Sequence, residues 1–139
     1  MIRGIIAAGH EATAEAAAQV MRDGGNAFDG ICAALCAATV AEPVLASLGG
    51  GGFLHARPAD AAPLLIDFFA QTPRQRADAD GLDFYPIVAD FGDTTQEFHI
   101  GLGAMATPGA IAGLFAIQRR LCRLPAADPA QARAMGDKG

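Results

Sequence analysis

Tryptophan is absent from this sequence, tyrosine and serine each occur once, and the only lysine is Lys138. Ten basic residues stand against fifteen acidic ones, a formal net charge of −5. Clustered Lys and Arg, the requirement for binding a phosphate backbone, are missing, which excludes a nucleic-acid partner. Three cysteines, Cys32, Cys36 and Cys122, are too few for a disulfide scaffold and cannot all pair. They are expected to be reduced and buried as small apolar side chains, since no further ligands lie near enough in sequence for a metal site. The longest apolar run, Ile31 to Ala41, falls short of the ~20 residues of a membrane helix and stops at Glu42-Pro43. Near the start, His10 and Glu11 cut off the apolar stretch Gly4 to Gly9, so no secretory leader is read and a cytoplasmic chain is expected.

What the chain has in excess is small residues. Of its 139 residues, 32 are alanine and 17 glycine, which leaves few large apolar side chains. One domain is all this length supports, and its core must come from segments approaching backbone to backbone.

A strand-like Ile2 to Ala8 opens the chain. Between Glu11 and Asp23, Ala14, Ala17, Ala18 and Met21 recur at helical spacing, and Gly24-Gly25 stops the helix. Asn26 is placed to cap a second helix, with Asp29 in its first turn favouring the positive helix end. From Ile31 to Ala41 only Thr39 is polar, which predicts a helix buried on every side. Gly49 to Gly52 lead into a strand at Phe53 to His55, paired across a turn at Pro58 to Ala62 with Leu64 to Phe68. Residues 71–93 show no period and read as a surface loop. Phe98, Ile100, Leu102 and Ala104 alternate like a strand; Pro108-Gly109 open a helix with Leu114, Ile117 and Leu121 on one face, and Pro125 closes it. Residues 1–125 thus form the ordered region, and the composition of residues 126–139 predicts a disordered or divergent tail.

The glycine run at 49–52 is the most conspicuous candidate for chemistry, because exposed amides can hold a phosphate or an oxyanion. Its order, helix then glycines then strand, is the reverse of nucleotide loops, so a structural turn with positive backbone angles is expected instead. Ser47 lies in no nucleophile elbow. His10, His55 and His99 are expected to be satisfied, half-buried rings rather than bases, and Thr94-Thr95 an exposed loop pair. The acidic stretch from Asp78 through Asp80, Asp83, Asp90 and Asp93 to Glu97 lacks calcium-loop spacing and reads as a solvated face. No complete catalytic set, metal site or cofactor site is read from the residues alone.

Several motifs, taken together, resemble a known family. Gly24-Gly25-Asn26-Ala27-Phe28-Asp29, Glu42-Pro43, Leu48 to Phe53 with its four glycines, Asp67-Phe68, and Thr107-Pro108-Gly109 with Gly113-Leu114 are similar in order and spacing to the opening of the gamma-glutamyltransferases (gamma-glutamyltranspeptidases). The resemblance runs from about Arg3 to Pro125. It implies an α+β fold, the αββα sandwich of the N-terminal nucleophile hydrolases, of which this chain carries an incomplete N-terminal portion. It implies a zymogen that cleaves itself to free a threonine, nucleophile and base in one residue, at the start of a small subunit. That threonine attacks a gamma-glutamyl amide such as glutathione, and the acyl group passes to water or an amino acid. No cofactor or metal is implied; the partners are the remainder of the large subunit, the small subunit and a small-molecule amide. Family members are often periplasmic or secreted.

One departure bears on substrate. Where the family has Asp-Phe-Arg-Glu, with the arginine gripping the substrate's α-carboxylate, this chain has Asp67-Phe68-Phe69-Ala70. The substrate-binding candidates are therefore Asp67 and Phe69, with Arg74 or Arg76 as replacements only if one reaches back. Two readings follow: a fragment of a gamma-glutamyltransferase-like amidohydrolase, inactive alone, or a non-catalytic truncated paralogue serving as a structural or binding module.

Overall fold

The computed structural model describes residues 4–76 and 78–125, and the tail expected at 126–139 lies outside the described residues. The architecture is α+β: α1 (Glu11–Arg22), α2 (Ala27–Ala41), β1 (Phe53–Ala56), β2 (Leu64–Asp67), β3 (Tyr85–Asp90), β4 (Thr95–Ile100) and α3 (Ala110–Leu121). Short 3-10 turns lie at Ala79–Gly81 and Leu102–Ala104. The strands form two separate antiparallel pairs, β1 with β2 and β3 with β4.

The first helix begins where His10 accepts a hydrogen bond on Nδ1 from the Ala12 amide, 3.1 Å. It ends at Gly24, whose φ of 101° suits glycine and turns the chain out of the helix. Two residues later Asn26 starts α2 through a reciprocal cap. Its side-chain oxygen accepts from the Phe28 and Asp29 amides, and Asp29 in return accepts from the Asn26 amide at 2.7 Å. With no side chain at Gly30, α2 lies against Met21 and the Ala17 carbonyl of α1. Ala17 and Ala34 are buried, and Thr13 donates to Glu42 at 2.9 Å, closing the far end of the helix pair. Among the described residues the buried apolar ones are Ala17, Ala34, Ala56, Ile66, Ala110 and Ile117, so this core is largely alanine, in keeping with the composition.

A second tie joins the start of α2 to the exit of α3, some 95 residues later. Asn26 Nδ2 donates to the Leu121 carbonyl at 2.7 Å, and the Asp29 carboxylate accepts from the Arg123 and Leu124 amides at 3.0 and 3.1 Å. Burial raises the Asp29 pKa, but the backbone amides of Arg123, Asn26 and Leu124 outweigh it and hold the carboxyl below its ordinary value.

Several expectations fail for identifiable reasons. Residues 4–8 form no strand among the described residues, because nothing there offers them a ladder, and Ile5 is fully exposed. The apolar α2 is not buried all round: Ile31, Cys36 and Val40 are exposed, since α1 and α3 cover only part of its circumference. Cys32 and Cys122 are half-buried rather than buried. The expected loop at 71–93 contains β3, and the strand read across residues 98–104 instead spans Thr95–Ile100 before giving way to a 3-10 turn. Of β3 and β4 only Ala89 is shielded, so no in-out alternation exists to be read. Pro86 is tolerated because both strands of a two-stranded sheet are edges. The last helix ends at Leu121, before Pro125, where the chain turns toward Asp29. His10, His55 and His99 are all exposed, not half-buried.

Acid should weaken the Asp29 tie in a defined direction. A carboxylate whose folded pKa is depressed contributes stability fully above its unfolded pKa and loses it as pH falls through the folded value. We expect urea midpoints of the native chain to fall below about pH 4. Asp29→Ala should be less stable at neutral pH by about 1 to 3 kcal/mol, because it leaves three part-buried amides without their acceptor, and should show a shallower acid slope. Parallel pH profiles for the two proteins would refute this role.

Candidate functional site

The ladder between β1 and β2 runs one pair beyond the named strands. Gly52 and Phe68 exchange both backbone hydrogen bonds, at 3.2 and 3.0 Å. From there the backbone of residues 68–70 passes so close to Gly51 that a Cβ would come within 2.6 Å of the Phe68 oxygen and 2.8 Å of the Phe69 carbonyl carbon. The first turn of α3 meets the same segment from the other side. A Cβ at Gly109 would lie 2.6 Å from the Phe68 carbonyl carbon, and one at Gly113 would lie 2.6 Å from Phe68 Cβ. Phe68 is thus clasped by glycines from two distant stretches of chain.

The glycine run takes part in the same contact. The Gly50 carbonyl accepts from both the Gly109 and Ala110 amides at 3.0 Å, satisfying two of the free donors at the start of α3. The Gly49 amide donates to Ser47 Oγ, the Gly50 amide to the Ser47 carbonyl, and the Gly52 amide to Phe68. Three of the run's four amides thus have partners within the chain itself. The expected positive backbone angles are absent, since none of Gly49 to Gly52 has positive φ. Glycine is needed here for close approach.

Just beyond Phe68 the chain forms a small open surface. Asp67 accepts the Phe69 amide on Oδ1 at 2.9 Å, a turn that swings the next residue outward. Gln71 and Thr107 then exchange backbone hydrogen bonds at 3.0 and 2.7 Å, while Gln71 Nε2 donates to the Phe69 carbonyl at 3.3 Å. The Phe69 ring stacks on Phe53 of β1, with centroids 5.4 Å apart and planes 14° from parallel. Both rings remain more than half exposed. Beside them a groove of about 460 Å³ is lined by Ile66, Asp67, Phe69, Gln71, Thr107 and Pro108, among others.

The remaining candidates are not brought here. Arg74 lies on an exposed bend and Arg76 just past it, and neither forms an ion pair among the described residues. His10 caps α1, and His99 stacks on Phe84 at 4.6 Å. Thr94 lies in the β3–β4 turn, where its carbonyl accepts the Phe91 amide. Among the described residues no three His, Cys, Asp or Glu side chains gather as a metal site, and no helix is long and apolar enough to cross a membrane. The stacking of Phe53 on Phe69 and the bridge from Gln71 to Thr107 escaped the sequence reading, because each depends on a partner 16 to 36 residues away.

An overlap test follows from the glycine clasp. Gly113→Ala should lower stability by about 1 to 3 kcal/mol, the cost of overpacking a close contact. Phe68→Ala in the same chain should recover part of that loss by removing the ring. Strict additivity of the two in urea melts would show that Gly113 and Phe68 are not coupled.

Comparison with known proteins agrees with this layout. The family model described as Gamma-glutamyltranspeptidase matches residues 13–134. The acylase ACY 1 proenzyme of Pseudomonas sp. (strain V22) is 36% identical over 134 residues, covering 93% of this chain and 23% of its own length. The glutathione hydrolase proenzyme of Pseudomonas aeruginosa is 31% identical over 123 residues, covering 88% and 21% respectively. This chain therefore spans about a quarter of these relatives. Among solved structures, Helicobacter pylori gamma-glutamyltranspeptidase superposes with a TM-score of 0.68 at 25% identity, over 87% of this chain and 33% of that one. The three helices and two small sheets are accordingly part of the αββα hydrolase fold. With its glycine loop, its Asp67-Phe68 turn and its Thr107-Pro108-Gly109 helix start held in one contact, the chain belongs to the gamma-glutamyltranspeptidase family.

Proposed function

We propose that this chain supplies one wall of the acyl-donor site in an amide-cleaving enzyme of its family. The threonine nucleophile comes from the remainder of the protein. The relatives' names as proenzymes and the quarter of their length covered here support that division of labour. The nucleophile attacks the amide carbonyl, the amine departs with a proton, and the acyl group is released to water or to a second amine.

The observation that carries the substrate reading is Phe69. At the position where the resemblance puts a carboxylate-binding arginine, this chain has an apolar ring, stacked on Phe53 and open to the groove. A ring cannot form the charge-assisted pair that an α-carboxylate needs. The donor we favour is therefore an amide whose acyl chain lacks the α-amino acid head group, such as a glutaryl or plain aliphatic amide. Asp67 acts as a positioning residue, since its side chain holds the Phe69 amide and with it the direction of the ring.

The test uses this chain alone and then joined to the rest of its enzyme. Alone it should not turn over a gamma-glutamyl anilide. Reconstituted, it should prefer glutaryl or aliphatic amides. Phe69→Arg should shift the ratio of kcat/KM values toward gamma-glutamyl by roughly ten- to a hundredfold, since such a pair is worth about 1.5 to 3 kcal/mol. A native enzyme that favours gamma-glutamyl donors, and loses them on mutation of Arg74 or Arg76, would overturn the substrate reading.

A further inference from the structure

The thiols of Cys32 and Cys122 face each other with their Sγ atoms 3.9 Å apart, although ninety residues separate them in sequence. Cys32 lies in the second turn of α2, and Cys122 is the first residue past α3. The backbone on both sides of Cys122 is tied to the start of α2: the Leu121 carbonyl by Asn26, and the Arg123 and Leu124 amides by Asp29. The facing of the two thiols is therefore imposed by three hydrogen bonds that involve no sulfur. We propose that Cys32 and Cys122 form a disulfide site, a covalent staple parallel to the Asp29 tie, closed by exchange with a small dialkyl disulfide.

A disulfide needs its sulfurs about 2.05 Å apart and its Cβ atoms about 3.5 to 4.5 Å apart. Closing the present gap calls for a side-chain movement of less than 2 Å across a backbone frame that is already hydrogen-bonded. The nearer cysteine in sequence is the poorer partner. Cys36 stands four residues along the same helix as Cys32, where Cβ atoms lie about 5 to 6 Å apart, and its side chain faces solvent. Pairing these two would break the helix turn between them.

The exchange balances. One cysteine thiolate attacks a sulfur of the dialkyl disulfide, forming a mixed disulfide and expelling one alkyl thiolate. The second cysteine thiolate then attacks the protein sulfur of that mixed bond and expels the other. Two protein thiols are oxidised, one dialkyl disulfide is reduced to two thiols, and the two protons pass to the leaving groups. Burial, then the neighbouring Cys32, then the Asp29 carboxylate push the Cys122 thiol up to about 12, and burial also raises Cys32. The pair therefore oxidises slowly at neutral pH, which suits a staple rather than a reactive catalytic thiol.

The test treats the full chain with 2-hydroxyethyl disulfide in mildly alkaline buffer, with and without concentrated urea. Free thiols are then blocked, and trypsin cuts after Arg120 and Arg123 to isolate Cys122 in a three-residue peptide. Fragmentation of the linked peptides assigns each pair. In urea, loop closure alone favours Cys32–Cys36 by roughly a hundredfold, because the loop is so much shorter. Without urea we expect the reverse, with Cys32–Cys122 at least tenfold in excess, and Cys36→Ser forming the same bond. A native distribution matching that in urea, an excess of any other pair, or no intramolecular bond in Cys36→Ser would overturn the proposal.

Discussion

Phe68 is where the pieces of this protein meet, and its neighbours are defined by what they lack. Gly51 and Gly52 approach it from the glycine run, and Gly109 and Gly113 approach it from the opening of α3. At Gly51, Gly109 and Gly113 even a single methyl group would collide with backbone or ring. This close approach lets the Gly50 carbonyl reach the first amides of α3 and brings Thr107 alongside Gln71. The groove and the position of Phe69 both follow from that clasp. In a chain poor in large side chains, interdigitated glycine supplies the precision that packed leucine and phenylalanine provide elsewhere.

At the other end of α3 polar groups do comparable work. Asn26 and Asp29 satisfy the start of α2 and at the same time hold the exit of α3. One cap thus serves two helices, and its cost is a carboxylate whose contribution depends on pH. Between the clasp and the cap α3 is fixed at both ends, which suits a helix whose own packing comes mainly from Ala110, Gly113 and Ile117.

The large exposed apolar area has the same origin. Ile31, Val40, Phe53, Leu65 and Phe69 are open to solvent, and a soluble domain does not ordinarily leave so many apolar groups uncovered. The chain spans about a quarter of the length of these relatives. The stretch Ile31 to Ala41 of α2, polar only at Thr39, is enclosed on only part of its circumference.

Local signals were legible wherever a residue's role depends on neighbours within one turn or one hairpin. The Asn26–Asp29 spacing gave the cap, Gly24-Gly25 the helix stop, and two short apolar runs flanking the turn at Pro58 to Ala62, the first led in by glycines, gave β1 and β2. The ordered motifs of glycine, Asp67-Phe68 and Thr107-Pro108-Gly109 were enough to name the family. The second hairpin was half missed because both its faces are wet, so no alternation records its pairing. What only the tertiary structure decided are the meetings across long stretches of chain: glycines against Phe68, Phe53 against Phe69, Asp29 against Arg123 and Leu124, and Cys32 against Cys122. Short-range propensity carries no trace of such contacts, because their geometry is set by how helices and hairpin close on one another and not by the residues that flank them.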